Sequence, residues 1–255
     1  VNGLPAAWSG EAGAGSGGWV TAEHPLLGYG GMPSVRLRVL FQSDGSANAE
    51  GFAFDDVEVR NQCLTDISTI PDPLSTSSNR RGPATGSSFQ RCVSVYPDFE
   101  MASKVASGPI CSIGWALETA APEQAVGDIK IFLRNTTDQD YQDTTDWPSV
   151  ISNMNMYYDG PLTIDTVTGG YDIALDSSFN YSGGGVYVAC EWTASTIAST
   201  EATYFANTSI TNGMVRNFST TAHSDNLGAL APWRPVVRFG AKLKDNDITA
   251  SLNLA

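Results

Sequence analysis

Apolar and polar residues alternate with period two over many stretches of this chain, the pattern of β-strands with one buried face. In Ser34-Val35-Arg36-Leu37-Arg38-Val39-Leu40-Phe41, Val35, Leu37, Val39 and Phe41 share one face, and Arg36 and Arg38 share the other. Ser43-Asp44-Gly45-Ser46 then supplies a turn. From Gly51 to Val59 the apolar positions are Phe52, Phe54, Val57 and Val59, and the phase slips by one at Asp55-Asp56. A β-bulge produces such a slip. Two strands around one loop predict the closing part of a sandwich.

Residues 61–88 change character. Ile70-Pro71-Asp72-Pro73-Leu74-Ser75-Thr76-Ser77-Ser78-Asn79 is a Pro/Ser/Thr run with little to bury, and it predicts a linker. Strand signals resume at Phe89–Tyr96 and continue through Ile110–Glu118, Asp128–Arg134, Asn155–Tyr158 and Tyr171–Leu175. Gly185–Trp192 is strong, with Val186, Val188, Cys190 and Trp192 on one face. Thr203–Ala206, Met214–Phe218 and Val236–Phe239 complete the set. No stretch reads as a convincing amphipathic helix. The expected class is therefore all-β, built of antiparallel sandwich modules. The expected division is a partial module over 1–62, a linker over 63–83, a sandwich over 84–243 and a connector over 244–255.

Composition narrows the function classes. Charged residues make up only 16% of the chain, so Ser, Thr, Asn, Gln and Gly must supply most of the polar surface, as suits extracellular β-proteins. The net charge of −13 repels phosphate backbones, and Arg80-Arg81 is only a pair, so nucleic acid is not an expected partner. No run approaches the roughly 18 apolar residues of a membrane helix, so membrane insertion by a helix is not expected. Val1-Asn2-Gly3-Leu4-Pro5 has neither the basic start nor the apolar run of a signal peptide. The expectation is a piece of a longer, multidomain polypeptide, with neighbouring domains as its first partners.

Cys63, Cys92, Cys111 and Cys190 show no CxxC spacing, and His24 and His223 are the only histidines, which argues against a zinc cluster. In an exported chain these cysteines allow up to two disulfides. Buried free thiols are the other reading. At least one disulfide is expected, with Cys92 and Cys111, on consecutive strand candidates, as the nearest local pair.

Two stretches resemble known modules. Gly17-Gly18-Trp19-Val20-Thr21-Ala22-Glu23-His24, with Pro33–Ser46 and Glu50-Gly51-Phe52-Ala53-Phe54-Asp55-Asp56-Val57, resembles the C-terminal half of the MAM-like jelly-roll modules of bacterial secreted proteins. Ile129–Thr137, Thr145-Asp146-Trp147, Tyr158-Asp159-Gly160, Phe179–Gly184 and Trp233–Phe239 are together similar to a β-sandwich module that recurs in Bacteroidetes surface and adhesin-like proteins. The resemblances imply jelly-roll sandwiches in an exported, modular and mostly non-enzymatic bacterial protein, located outside the cell or on its surface. Proteins of the second kind often leave the cell by the type IX route, and neither resemblance places a catalytic residue on this chain.

Asp44, Glu50, Asp55 and Asp56 are the densest carboxylates near tight turns, and modules of this kind often carry a structural calcium ion beside the last strand. An Asx-turn at Asp44 and a loop hydrogen bond from one of the Asp pair are the plainer reading. The acidic run Asn135–Asp143 is a second ion candidate against a solvated loop. Trp8 and Trp147 lie in turn-rich context and are candidate sugar platforms, because a flat ring fits the C–H face of a sugar. Packing under a loop is the alternative for both. Trp115 and Trp192 lie on alternating apolar faces and read as core. The sequence shows no GxSxG or HExxH. The expected function is non-catalytic binding of a glycan or an extracellular protein, with a structural spacer beside a secreted enzyme such as a peptidase as the alternative.

Overall fold

The computed structural model describes residues 66–72, 76–79 and 81–243. They form two antiparallel sheets. The chain runs through β1 (Asp66–Ile70), β2 (Thr76–Asn79), β3 (Phe89–Tyr96), a short helix α1 (Asp98–Met101), β4 (Val105–Thr119) and β5 (Ala125–Thr136). It continues through a second short helix α2 (Trp147–Ser152), β6 (Asn155–Ile164), β7 (Gly169–Tyr181), β8 (Gly185–Thr196), β9 (Thr203–Asn207) and β10 (Met214–Ser219). Two-residue strands β11 (Leu230–Ala231) and β12 (Arg234–Pro235) precede β13 (Val237–Leu243).

Eight strands carry the architecture. One sheet holds β1-β13-β4 with β7 on the far side of β4, and the other holds β3-β8-β5-β6. In chain order these are the first, eighth, third and sixth strands against the second, seventh, fourth and fifth. That order is a jelly roll, two Greek keys wrapped into facing sheets. The short strands extend it: β9, β2 and β12 widen the first sheet, and β10 and β11 widen the second.

All nine strand candidates between Phe89 and Phe239 are strands. The linker expectation is corrected. Asp66–Ile70 pairs with Val237–Ala241, and Thr76–Asn79 pairs with Thr203–Ala206. β1 is thus the opening strand of the jelly roll, and the sandwich starts well before residue 84. The stretch beyond β2 is not a spacer either. Arg81 to Thr85 are all buried. The Tyr204 hydroxyl donates to the Pro83 carbonyl at 2.6 Å, and the Trp192 indole donates to the Ala84 carbonyl at 2.9 Å. Packing here selects small residues: a Cβ on Gly82 would lie 2.7 Å from the Tyr204 ring. Residues chosen for smallness carry no hydrophobic period, so they resemble a linker.

The core has two layers. Ile110, Ile113, Trp115, Leu117, Ile129, Ile131, Val188, Cys190, Trp192 and Phe239 fill the space between the sheets. A second cluster lies on the outer face of the β3-β8-β5 sheet: Val93, Val95, Tyr141, Trp147, Val150, Tyr187, Ala189 and Leu227. β8 is therefore buried on both faces, which explains its near-continuous apolar sequence.

The expected Cys92–Cys111 pair is also corrected. β3 and β4 are consecutive in the chain but belong to different sheets, as the jelly roll requires. Cys92 instead faces Cys190 on β8, its register partner. Both side chains are buried.

Candidate functional site

Of the residues singled out as sites from the sequence, Trp8, Asp44, Glu50, Asp55 and Asp56 lie outside the described residues. Trp147 is described, and it is 2% exposed. It opens α2, whose first turn is capped by Asp146: the carboxylate accepts from the Ser149 amide at 3.1 Å and from its hydroxyl at 2.6 Å. The indole packs edge-on against Phe132 at 5.8 Å, with the Arg91 guanidinium 5.2 Å from its ring centre. The ring faces the outer core rather than solvent, so packing under a loop describes Trp147.

The Asn135–Asp143 run is a cover held down on the sheet. Asp138 accepts from the Tyr187 hydroxyl at 2.9 Å, Asp143 pairs with Arg134 at 2.7 Å, and Asp140 accepts from Gln142. Tyr141 is buried edge-on against Tyr187 at 5.6 Å. Its carboxylates are thus spent on structure. Among the described residues no group of three or more His, Cys, Asp or Glu is placed to hold a metal ion. Beside the cover, Arg134–Asp138 and the Ser182-Gly183-Gly184 turn enclose an open polar depression of about 710 Å³.

On the same outer face, a ladder of charge crosses three strands. Arg91 on β3, Glu191 on β8 and Lys130 on β5 are direct register partners. Arg91 reaches Glu191 at 2.7 Å and Asp225 at 2.6 Å, and Lys130 reaches Glu191 at 3.4 Å. Burial pushes the Glu191 carboxyl up, but the hydrogen bond and charge of Arg91, with His223 and Lys130, outweigh it and hold it below its ordinary range. His223 shares a 2.8 Å hydrogen bond between Nε2 and the Thr193 hydroxyl, and packs edge-on against Phe89 at 5.1 Å. Its Nδ1 is buried without a partner, and burial holds its pKa below the usual value.

The arrangement best suited to a ligand lies around α1. Pro97 starts this helix and Met101 anchors it in the core, which leaves Phe99 pointing outward and 60% exposed. Phe99 stands on the rim of a cleft of about 300 Å³, lined further by Pro71, Asp72, Glu100, Ser103, Lys104, Asn207 and Ser209. The polar floor is rigid because a fully buried arginine holds it from below. Arg234 donates to both Glu100 carboxylate oxygens at 2.7 Å, to the Val95 carbonyl at 2.8 Å and to the Ser209 hydroxyl at 3.1 Å. Its guanidinium also lies 5.5 Å from the Tyr96 ring centre. Asn207 accepts from the Ser209 amide at 2.8 Å and donates to the Asp72 carbonyl at 3.2 Å. Lys104 pairs with Asp72 and donates to the Thr69 carbonyl at 2.9 Å. An exposed aromatic ring thus stands beside fixed carboxylate, amide, hydroxyl and ammonium groups. Such a set can stack on a C–H face and exchange hydrogen bonds with hydroxyls.

Sequence reasoning missed this cleft. Phe99 sits in a four-residue helix rather than in an alternating strand, and Arg234 and Glu100 are 134 residues apart. The Trp233-Arg234-Pro235 run carries only a resemblance in the sequence and no period that points to the cleft. No family model, curated protein or solved structure matches the chain.

Proposed function

We propose that this chain is a non-catalytic binding part of a larger secreted or cell-surface protein, and that the jelly roll presents the Phe99 cleft to a glycan. The carrying observation is the exposed Phe99 ring beside a polar floor fixed by buried Arg234. Support comes also from the low charge content and from the resemblance, read in the sequence over residues 1–62 and most of 84–243, to modules of exported bacterial proteins. An extracellular protein surface rich in hydroxyls is the second ligand class of the same reading. In the first module, a structural calcium ion at Asp55 or Asp56, with Asp44 and Glu50 as weaker ligands, remains part of the proposal, as does Trp8 as a sugar platform.

The test is a glycan array probed with the full chain, followed by Phe99→Ala. The reading expects a defined set of glycans whose binding falls at least tenfold in the variant while its melting temperature is unchanged. A silent array, or binding that ignores Phe99, removes it.

One feature favours the spacer alternative. The outer edge of β6 is closed by side chains: Asp176 accepts from the Asp159 amide at 3.3 Å, and the Tyr158 hydroxyl donates to the Pro161 carbonyl at 2.8 Å. Capped edges keep modules from associating side by side in an array. A silent array together with an enzymatic domain elsewhere in the parent polypeptide is the outcome this alternative expects.

A further inference from the structure

Cys92 and Cys190 stand directly opposite each other on β3 and β8. Their side chains point into the space between the sheets and are 4% and 1% exposed. The two sulfurs are 2.6 Å apart. Carbon atoms in ordinary contact are separated by about 3.5–4.0 Å, and sulfur is larger than carbon. Two thiols at rest therefore do not fit this spacing, whereas a bond of about 2.05 Å lies a short movement away. The backbone allows it. Opposed residues in an antiparallel pair have Cα atoms about 4.5 or 5.5 Å apart, and both spacings fall within the roughly 4.4–6.8 Å that a disulfide spans.

We infer that Cys92 and Cys190 are joined by a cross-strand disulfide that ties β3 to β8 when the chain folds in an oxidising compartment. The oxidant is the disulfide of a thiol–disulfide oxidoreductase or of a small-molecule couple. One cysteine thiolate attacks that disulfide and forms a mixed disulfide, releasing the first oxidant thiolate. The second cysteine thiolate then displaces the other. The two cysteines lose two protons and two electrons, and the oxidant leaves as two thiols.

The exchange takes place before the core closes. In the folded state neither sulfur is accessible, and the contact with Cys92, with burial, raises the Cys190 thiol well above its ordinary range. A thiol so protonated is a poor nucleophile. The bond is therefore a mark of how the chain folded. It closes a loop across the two central strands of the β11-β10-β3-β8-β5-β6 sheet and encloses every strand from β4 to β7.

The experiment is peptide mapping of the full chain, exported through an oxidising compartment, with thiols blocked under denaturing conditions and no reductant added. The expected result is a Cys92 peptide linked to a Cys190 peptide and two hydrogens lighter than their sum. Recovery of both residues carrying the blocking reagent, or either linked to another cysteine, overturns the inference. A second measurement compares melting with and without reductant. The wild type loses more than the Cys92→Ala/Cys190→Ala double variant, and equal losses count against the bond. The mapping uses the wild type alone and does not depend on the variant folding.

Discussion

Arg238 and Asp172 form a two-point ion pair, at 2.8 and 2.9 Å, although their strands are not neighbours. β4 runs between β13 and β7, and the residue of β4 that faces both is Gly114. The guanidinium reaches across because Gly114 has no side chain. A Cβ there would lie 1.9 Å from the Tyr171 carbonyl oxygen and 2.6 Å from the Asp172 carboxylate.

Gly114→Ala is therefore expected to destabilise the sandwich by about 1–3 kcal/mol, the usual cost of forcing extra volume into a packed site. A double-mutant cycle on Arg238 and Asp172 should show coupling of up to about 1 kcal/mol in the wild type and none in the Gly114→Ala background. Urea unfolding measures both. Intact coupling in the variant would mean that the pair does not depend on the gap.

Arg234 and Glu100 make a different kind of pair, enclosed rather than partly wet. Glu100→Ala leaves a guanidinium with no exposure and no counter-charge. The expected loss is about 3–5 kcal/mol. Arg234→Met/Glu100→Leu should lose less than Glu100→Ala alone, because no charge is then left unpaired. Chemical denaturation of the three proteins decides it, and a double variant as weak as the single one contradicts the argument.

Acid should weaken the fold in two stages. The folded state lowers the His223 pKa below 6.5, so it favours the neutral ring. Its contribution is complete above pH 6.5 and is lost as pH falls toward the folded value, since the unfolded chain takes up the proton first. Glu191 is depressed below 4.5, so its contribution is present above that pH and is lost as the carboxylate protonates in more acid. Melting temperatures between pH 8 and 3 should fall accordingly. His223→Gln should flatten the upper stage and keep most of the lower one, which Arg91 chiefly sets, and an unchanged profile in that variant would remove His223 from the account.

Trp147→Ala should separate stability from binding. The indole fills the outer core, so its removal is expected to cost about 3–5 kcal/mol. Ligand binding at the Phe99 cleft should persist at temperatures where the variant is folded. Loss of glycan binding with normal melting is the reverse outcome, and it would restore Trp147 as a sugar platform.

The strands were legible wherever one face is buried and the other wet, as along Asp128–Arg134, because alternation records the difference directly. Gly185–Trp192 was legible from one face, Val186, Val188, Cys190 and Trp192; the burial of Tyr187 and Ala189 on the other face emerges only in the fold. β1 was hidden. Asp66-Ile67-Ser68-Thr69-Ile70 is short, and the Pro/Ser/Thr stretch that follows outweighed it. The cleft was hidden more deeply. Its floor joins Glu100 of a four-residue helix to Arg234 of a two-residue strand, and neither element is long enough to show a period. The pairing of Cys92 with Cys190 needed the sheet order, because strands adjacent in sequence change sheets at β3 and β4.

The adjacency of β1 and β13 has a mechanical consequence. These are the first and last strands of the jelly roll, and they run antiparallel, with Asp66 opposite Ala241. A tether pulling on the two ends of the fold therefore pulls at one corner. It loads the ladder between β1 and β13 one hydrogen bond at a time, as a zipper opens, rather than shearing all of them together. Such a domain yields early under tension. It also hangs beside the line of pull instead of lengthening it, like a flag on a cord.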